Sequence, residues 1–231
     1  MYPSRLYSVY DYPMGLYVKG NLPQEDKATA AVIGARNCTA YGREAANYMA
    51  RELAAAGIQI ISGMALGIDG AGHEGALNGG GMTYAVLGCG VDQCYPRSNY
   101  ELYETIPFHG GLISEYALKT PPLPRNFPIR NRIISGLSDV ILVIEAKEKS
   151  GSLITAQSGL EQGKEIYALP GRITDALSTG CNQLIAEGAQ VLFSPEMVLE
   201  NLGISVKSKG KGFLKKSRRD LQRKKKWCIV A

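Results

Sequence analysis

The chain has 231 residues, of which 45% are hydrophobic and 20% are charged; this is the balance of a soluble globular domain, and no apolar run approaches the ~20 residues of a membrane-spanning helix. Its five cysteines form no Cys-x-x-Cys pair, and its N-terminus lacks the basic-then-apolar pattern of a signal peptide, so we expect a reduced, cytoplasmic protein without a disulfide framework or a zinc module. Residues 207–231 carry eleven Lys or Arg and one acidic residue, whereas residues 1–206 carry 15 Lys or Arg and 20 Asp or Glu. Because the main body is therefore net acidic, an anion site in it requires local placement of positive charge.

Composition divides the chain into three parts. Residues 1–28 are rich in Tyr, Pro and Gly, which predicts an extended segment packed on the core through its tyrosines; as an alternative, these tyrosines stack nucleic-acid bases. Residues 29–203 are predicted to form the folded domain. Residues 204–231 are rich in Lys, Arg, Gly and Ser, which predicts a disordered basic tail that is either a solvated end or a nucleic-acid arm.

From Thr29 onward, short apolar runs alternate with stretches that carry small and apolar residues at helical spacing. The predicted strands cover residues 30–33, 58–61, 83–87, 112–115, 140–146, 165–169 and 190–193. The predicted helices cover residues 41–56, 99–104, 150–162, 182–186 and 195–202, with another short helix ending at 77. Continuously apolar strands that alternate with helices predict a doubly wound α/β fold, in which helices cover both faces of a mostly parallel sheet.

The carboxyl ends of the predicted strands carry Gly or Ser. Ligands of open α/β sheets bind beyond these ends, where glycine permits close approach and the following helix N-termini present free N–H groups. We interpret the turns as a row of anion sites along one rim, with positive charge added by Arg36 and Arg97, although Gly is also ordinary turn chemistry. The turns are Gly34-Ala35-Arg36, Ser62-Gly63, Gly88-Cys89-Gly90, Ser114-Glu115, Ser150-Gly151-Ser152 and Pro170-Gly171-Arg172.

Residues 125–132 concentrate three arginines and two asparagines between a proline-stiffened approach and an apolar run. A guanidinium held in such a place suits bidentate recognition of phosphate or carboxylate. The alternative is that these arginines pair with acidic side chains and cap helix ends.

The sequence lacks the common enzyme motifs: it has no Gly-x-Gly-x-x-Gly, no Walker-type phosphate loop and no Gly-x-Ser-x-Gly elbow. Asp69 and His73 lie one helical turn apart and are compatible with an acid–base pair, but a structural role is the preferred interpretation. We expect Glu115 and Glu145, at strand ends, to orient arginines.

Several ordered stretches resemble the DNA-processing protein A (DprA, or Smf) family over roughly residues 2–200. They are Val-Ile-Gly-Ala-Arg at 32–36, Ser-Gly-Met-Ala-Leu-Gly-Ile-Asp at 62–69, His-Glu-Gly-Ala-Leu at 73–77, Gly-Val-Asp-Gln-Cys-Tyr-Pro at 90–96, Ile-Ser-Glu at 113–115, Asn-Phe-Pro-Ile-Arg-Asn-Arg-Ile-Ile at 126–134, Ser-Gly-Ser-Leu-Ile-Thr-Ala at 150–156 and Leu-Pro-Gly-Arg at 169–172. The resemblance implies an extended Rossmann-like domain that binds single-stranded DNA, forms a homodimer and loads the recombinase RecA during natural transformation, without catalysis, cofactor or metal. We expect neither the N-terminal helical domain nor the C-terminal winged-helix domain of the family in this sequence.

The resemblance also assigns site residues. It places phosphate binding on Arg36, puts Arg97 where the family has a basic residue after Tyr-Pro, and sets residues 130–132 around the same pocket. The candidate DNA-binding residues are Gly34, Arg36, Ser62, Gly63, Gly88, Gly90, Arg97, Asn126, Phe127, Arg130, Asn131, Arg132, Ser150, Gly151 and Ser152. Two alternatives remain open at this point: a hydrolase that releases the base from a nucleoside monophosphate, and a protein-interaction module with a vestigial rim.

Overall fold

The computed structural model describes residues 2–204, and these place eight strands in one sheet. The spatial order along the sheet, with strands numbered along the chain, is β1-β5-β4-β3-β2-β6-β7-β8. Every neighbouring pair is parallel except β1 with β5, which is antiparallel. The strands are β1 (Tyr17–Gly20), β2 (Thr29–Ile33), β3 (Gln59–Ser62), β4 (Thr83–Val86), β5 (Gly110–Ser114), β6 (Val140–Val143), β7 (Glu165–Ala168) and β8 (Gln190–Val191).

Helices cover both faces of this sheet, which confirms the predicted doubly wound α/β fold. Side chains of the first, second and seventh helices pack on one face, and those of the fourth, fifth and sixth pack on the other. The helices are α1 (Ala40–Ala55), α2 (Ile68–Asn78), α3 (Tyr100–Thr105), α4 (Asn126–Gly136), α5 (Gly151–Glu161), α6 (Thr179–Ala186) and α7 (Pro195–Asn201).

The central strands are apolar on both faces because both faces are covered. In β2, Ala30 and Val32 join the core beneath α1 and α2, whereas Ala31 and Ile33 join the core beneath α4 and α5. This division follows from the alternation of side chains along a strand. All residues of β2 and β6 are buried, as their uninterrupted apolar sequences predict.

The direction of winding reverses between β2 and β6. From β2 the chain builds the sheet outward through β3, β4 and β5, and then returns to add β6, β7 and β8 on the other side of β2. The connections leaving β2 and β6 therefore separate and open a crevice beyond their carboxyl ends, the usual position of a ligand in this fold.

The N-terminal segment differs from its predicted packing. Leu6 and Val9 are buried against α4, whereas Tyr7 and Tyr10 are 62% and 96% exposed. The segment also contains β1, an edge strand that the Tyr- and Gly-rich composition conceals. Leu6 and Val9 are the fully buried anchors of this segment, and Tyr2 packs, partly buried, against the same core.

Helix α4 is absent from the predicted elements because prolines crowd its start. Pro128 is nevertheless compatible with the helix, since it lies in the first turn, where backbone N–H groups have no intrahelical acceptor. Residues 126–132 thus form the first turns of a helix, with Arg125 immediately before it, and their side chains leave the helix in different directions.

No helix within residues 2–204 is long and apolar enough to cross a membrane. The predicted basic tail falls almost wholly on residues 205–231, which lie outside the described part of the chain.

Helices α1 and α2 pack so closely that a side chain at Gly75 would overlap the carbonyl oxygen of Asn47. We predict that Gly75→Ala lowers the free energy of unfolding by about 1–3 kcal/mol, since an added methyl group in a filled interface forces the helices apart. The midpoint of urea unfolding followed by circular dichroism measures this. Gly15→Ala is the control, because its new methyl group would have no neighbour within 4 Å; equal midpoints for the two variants would contradict the close packing.

His73 is a neutral, fully buried side chain of α2. Thr83 Oγ1 donates to the carbonyl oxygen of Ile60 at 3.0 Å, so His73 Nδ1 is the donor in its 2.7 Å bond to Thr83 Oγ1. Burial lowers the pKa of His73 to about 3, and the positive charge of Arg130 acts in the same direction. The ring therefore serves the core as a hydrogen-bond donor and is not a proton-transfer group.

The lowered pKa of His73 predicts a pH-dependent stability. In the unfolded chain the imidazole takes up a proton below its ordinary pKa of about 6.5, whereas in the folded chain it stays neutral until about pH 3. Its contribution is therefore complete above pH ~6.5 and is lost progressively as the pH falls toward the folded pKa. Urea midpoints should fall less steeply from about pH 7 to about pH 5 in His73→Asn than in the parent. His109→Asn, at an exposed position, should keep the parental slope; a parental slope in His73→Asn as well would show that His73 is not the titrating group.

Candidate functional site

A cleft of about 410 Å³ opens at the crevice beyond β2 and β6. Four segments line it: residues 33–37 after β2, the β3–α2 connection with the start of α2, the first turns of α4, and residues 147–155, which lead into α5. Leu177, just before α6, also lines it. The site therefore lies where the reversal of winding places it.

The loop after β2 is held by the end of β6. Ala35 N–H donates to the Glu145 carbonyl oxygen at 2.7 Å, and the Glu145 carboxylate accepts from Thr39 N–H at 2.9 Å and from the Thr39 hydroxyl at 2.5 Å. Thr39 in turn caps α1 by accepting from Gly42 N–H at 3.0 Å. Glu145 thus fixes the loop that carries Arg36 and bonds no arginine within residues 2–204, contrary to the expectation for this carboxylate.

Arg36 projects from this fixed loop and is exposed. Its guanidinium lies 5.4 Å from the centre of the Phe127 ring on α4. Gly88 sits against the same ring, since a methyl group there would come within 2.8 Å of it. The absence of a side chain at Gly88 lets Phe127 lie over the end of β4, with Arg36 beside it, so a cation and an aromatic ring share the cleft.

Arg130 lies beneath Phe127 and is 4% exposed. Its Nη1 group donates to the Gly63 carbonyl oxygen at 3.0 Å and also to that of Val86, and its Nε group donates to Asn131 Oδ1 at 3.2 Å. Burial lowers the pKa of Arg130 to about 10, so the side chain remains charged at neutral pH. Because its donors are directed at backbone carbonyls, Arg130 braces the floor of the cleft.

Asp69 completes this buried floor and forms no hydrogen bond with His73. It is 7% exposed, and its carboxylate accepts from Gly63 N–H at 3.2 Å. Burial raises the pKa of Asp69, against the effect of the nearby Arg130. The acid–base pair considered from the sequence is therefore not assembled, and Asp69 holds the turn after β3.

The N-terminus of α5 forms the other wall. Ser150 caps the helix by accepting from Ser152 N–H at 3.4 Å, and the two hydroxyls lie 2.7 Å apart. Asn131 joins α4 to this wall by donating to the Gly151 carbonyl oxygen at 3.2 Å. The wall therefore directs a helix N-terminus, with its partial positive charge, into the cleft.

Two exposed lysines at the cleft, Lys147 and Lys149, are missing from the residues selected by sequence. They precede Ser150 in the β6–α5 connection. The sequence feature that could have identified them is their location just before the Ser150-Gly151-Ser152 turn, which the sequence already predicts to be an anion site. With Arg36 they place three exposed cations around one opening, and the acidic body of the chain thereby acquires a local positive field.

Some of the other candidate residues form hydrogen bonds that support the cleft, and others lie outside it. Asn126 donates to the Gly88 carbonyl oxygen at 3.0 Å, and Ser62 is fully buried and donates to that of Val32 at 2.6 Å. Arg132 leaves α4 away from the cleft and forms two 2.8 Å bonds with Glu115, which orients it as expected. The cleft itself contains eight of the fifteen candidates, namely Gly34, Arg36, Phe127, Arg130, Asn131, Ser150, Gly151 and Ser152. Those outside its lining are Ser62, Gly63, Gly88, Gly90, Arg97, Asn126 and Arg132.

The chemistry available here is recognition of an anion and a flat ring. Asp69 is the one carboxylate among the described residues that line the cleft, and it is committed to the turn after β3. The exposed cations and the α5 N-terminus suit phosphate oxygens, and the Phe127 ring suits a planar apolar group.

Comparison with known proteins identifies the family of this chain. Residues 1–203 match the model of the family described as DNA recombination-mediator protein A. The DNA processing protein DprA of Bacillus subtilis is 42% identical over 202 residues, which cover 87% of this chain and 68% of the relative, and Protein Smf of Escherichia coli is 46% identical, with 87% and 54% covered. This chain therefore spans about half of the Escherichia coli relative.

A solved structure of DNA processing protein A from Helicobacter pylori, described for its single-stranded DNA binding mode, superposes with a TM-score of 0.81 at 33% identity and covers 87% of this chain and 93% of that one. The match to the family model and the identities to its curated members give one conclusion: the chain belongs to the DNA recombination-mediator protein A family.

Proposed function

We propose that this protein binds single-stranded DNA in the cleft and breaks no bond in it. The observation that carries the proposal is the Phe127 ring with the Arg36 guanidinium 5.4 Å from its centre, at an opening surrounded by exposed cations. Family membership supports it, as does the Helicobacter pylori relative described for single-stranded DNA binding.

Each part of a nucleotide has a suitable counterpart. The phosphate would lie on Arg36, Lys147 and Lys149 and on the Gly151 N–H at the start of α5, and the base would stack on Phe127. A base inside a duplex offers no free face, so stacking on Phe127 selects unpaired strands. Three other members of the candidate set act indirectly, since Gly63, Asn126 and Arg130 brace the ring and the floor.

Hydrolysis of a nucleoside monophosphate fits the cleft less well. The carboxylate considered for that reaction, Glu115, is bonded to Arg132 and lies outside the cleft lining. Asp69 is buried and accepts from a backbone amide. A general acid or base must reach the reacting group, and neither carboxylate is free to do so.

Family membership supports three further proposals. The protein would form a homodimer in the cytoplasm, would take RecA as its partner and would load this recombinase onto the bound strand in natural transformation.

Residues 29–203 would form the DNA-binding domain, with residues 1–28 packed against it. The basic residues after 204 would either add to DNA binding or remain solvated.

Arg36→Ala should weaken binding of an oligothymidylate about tenfold at low salt, because a charge-assisted contact to phosphate is lost. The slope of log affinity against log salt should also fall by about 0.7, the value for one phosphate contact on a single strand. Fluorescence anisotropy across a salt series measures both quantities. Arg51→Ala is the control, since Arg51 is exposed on α1 and pairs with Glu52. An unchanged slope in Arg36→Ala would remove Arg36 from the phosphate site.

Phe127→Ala should lower the affinity by about 1–3 kcal/mol, the contribution of one stacked base, without changing the salt slope, because no charge is removed. Phe127→Trp should retain binding. Phe108→Ala provides the control, as Phe108 is 84% exposed and lies outside the cleft lining. The same titrations measure these variants, and equal losses for Phe127→Ala and Phe108→Ala would contradict base stacking in the cleft.

A further inference from the structure

An exposed tyrosine extends the aromatic surface of the cleft. The Tyr95 ring lies 5.5 Å from that of Phe127, centre to centre, and is inclined to it by 33°. Tyr95 is 42% exposed, and it stands outside the cleft lining. Arg36, Phe127 and Tyr95 therefore form a continuous path that starts in the cleft and leaves it along the rim.

The segment that carries Tyr95 is fixed to the rim. Asn99 Nδ2 donates to the carbonyl oxygens of Met64 at 2.9 Å and Ala65 at 3.2 Å. Ala65 lines the cleft, so the short helix Arg97–Asn99 is tied to the cleft wall. Tyr95 is therefore held in place by its neighbours before any ligand arrives.

Arg97 adds a positive charge two residues after Tyr95. It is exposed and forms no salt bridge within residues 2–204. Two acidic side chains of the neighbouring segments are already engaged, since Glu104 pairs with Lys19 and Asp92 accepts from Lys119 N–H. The Cα atoms of residues 95 and 97 are at most about 7 Å apart, so a ring and a guanidinium are available to the base and the phosphate of one nucleotide.

The groove on the other side of the cleft carries negative charge, which is unfavourable for a phosphate backbone. The groove between α5 and α6 shares Lys149 and Gly151 with the cleft, but Glu148, Glu161 and Glu187 also line it. Carboxylates repel phosphates, and the described residues that line this groove include no aromatic ring.

We propose that a single strand leaving the cleft follows the rim toward β4, with its next base stacked on Tyr95 and the adjoining phosphate on Arg97. This inference rests on the proposed function and adds the direction of the strand and a second nucleotide site. Phe127 lies where the path leaves the cleft. The base in the cleft would stack on Phe127, and the following base would stack on Tyr95.

A length series of oligothymidylates tests the path. Parent, Tyr95→Ala, Tyr95→Phe and Arg97→Ala are titrated with strands from two to twelve nucleotides across a salt series. Tyr95→Ala should bind the shortest strands like the parent and the longer ones about tenfold more weakly, because one stacking partner is lost. Tyr95→Phe should restore the affinity for long strands. On these strands the salt slope should stay unchanged in Tyr95→Ala and fall by about 0.7 in Arg97→Ala.

Tyr48→Ala is the matched control, because Tyr48 is also 42% exposed and has a guanidinium, that of Arg51, 5.6 Å from its ring. An equal loss at every length in Tyr95→Ala would mean that Tyr95 only supports Phe127, and no loss at any length would remove it from the path; either result overturns the inference. If Arg36→Ala and Phe127→Ala are also without effect, the proposed function itself fails. If those two weaken binding while the rim variants do not, only the path fails.

Discussion

The cleft depends on one buried charge. The Arg130 guanidinium ties α4 to the ends of two strands by donating to the carbonyl oxygens of Gly63 and Val86. A charge with 4% exposure carries a large desolvation cost, which these carbonyl dipoles and the neighbouring Asp69 offset. Loss of Arg130 would remove both of these bonds and the positive charge that acts against the raised pKa of Asp69, so α4 would lose its tie to the strand ends.

This rigid floor determines how the exposed groups are presented. Phe127 is held over the end of β4 by Gly88 below it and by α4, whose Asn126 side chain bonds the same turn. Arg36 is presented from the opposite side by a loop that Glu145 fixes. Buried polar groups therefore fix the backbone around the cleft, while the side chains suited to a ligand remain exposed. Because the backbone is already ordered, less entropy is lost on binding.

The sequence predicts those parts of the fold that local pattern controls. The fully apolar β2 and β6 and their alternation with helices specify a parallel sheet, and the Gly- and Ser-rich strand ends place a ligand site on its carboxyl rim. The directions of Arg130 and Arg132 were not predictable without α4, because residues two apart on a helix point to nearly opposite sides. Pro128 concealed that helix. Lys147 and Lys149 were not selected because their place beside the cleft follows from the position of the turn in space. Leu6 and Val9 are buried in the N-terminal segment, where composition pointed to tyrosines.

The groups that face each other across the cleft come from distant parts of the chain, since Arg36 follows the second strand and Lys149 follows the sixth. They meet only when β2 and β6 are paired, which closes a loop of more than one hundred residues. An incompletely folded chain therefore has no such opening. A ligand that occupies this opening and does not bind the unfolded chain stabilises the native state by mass action, so the melting temperature rises with the ligand concentration.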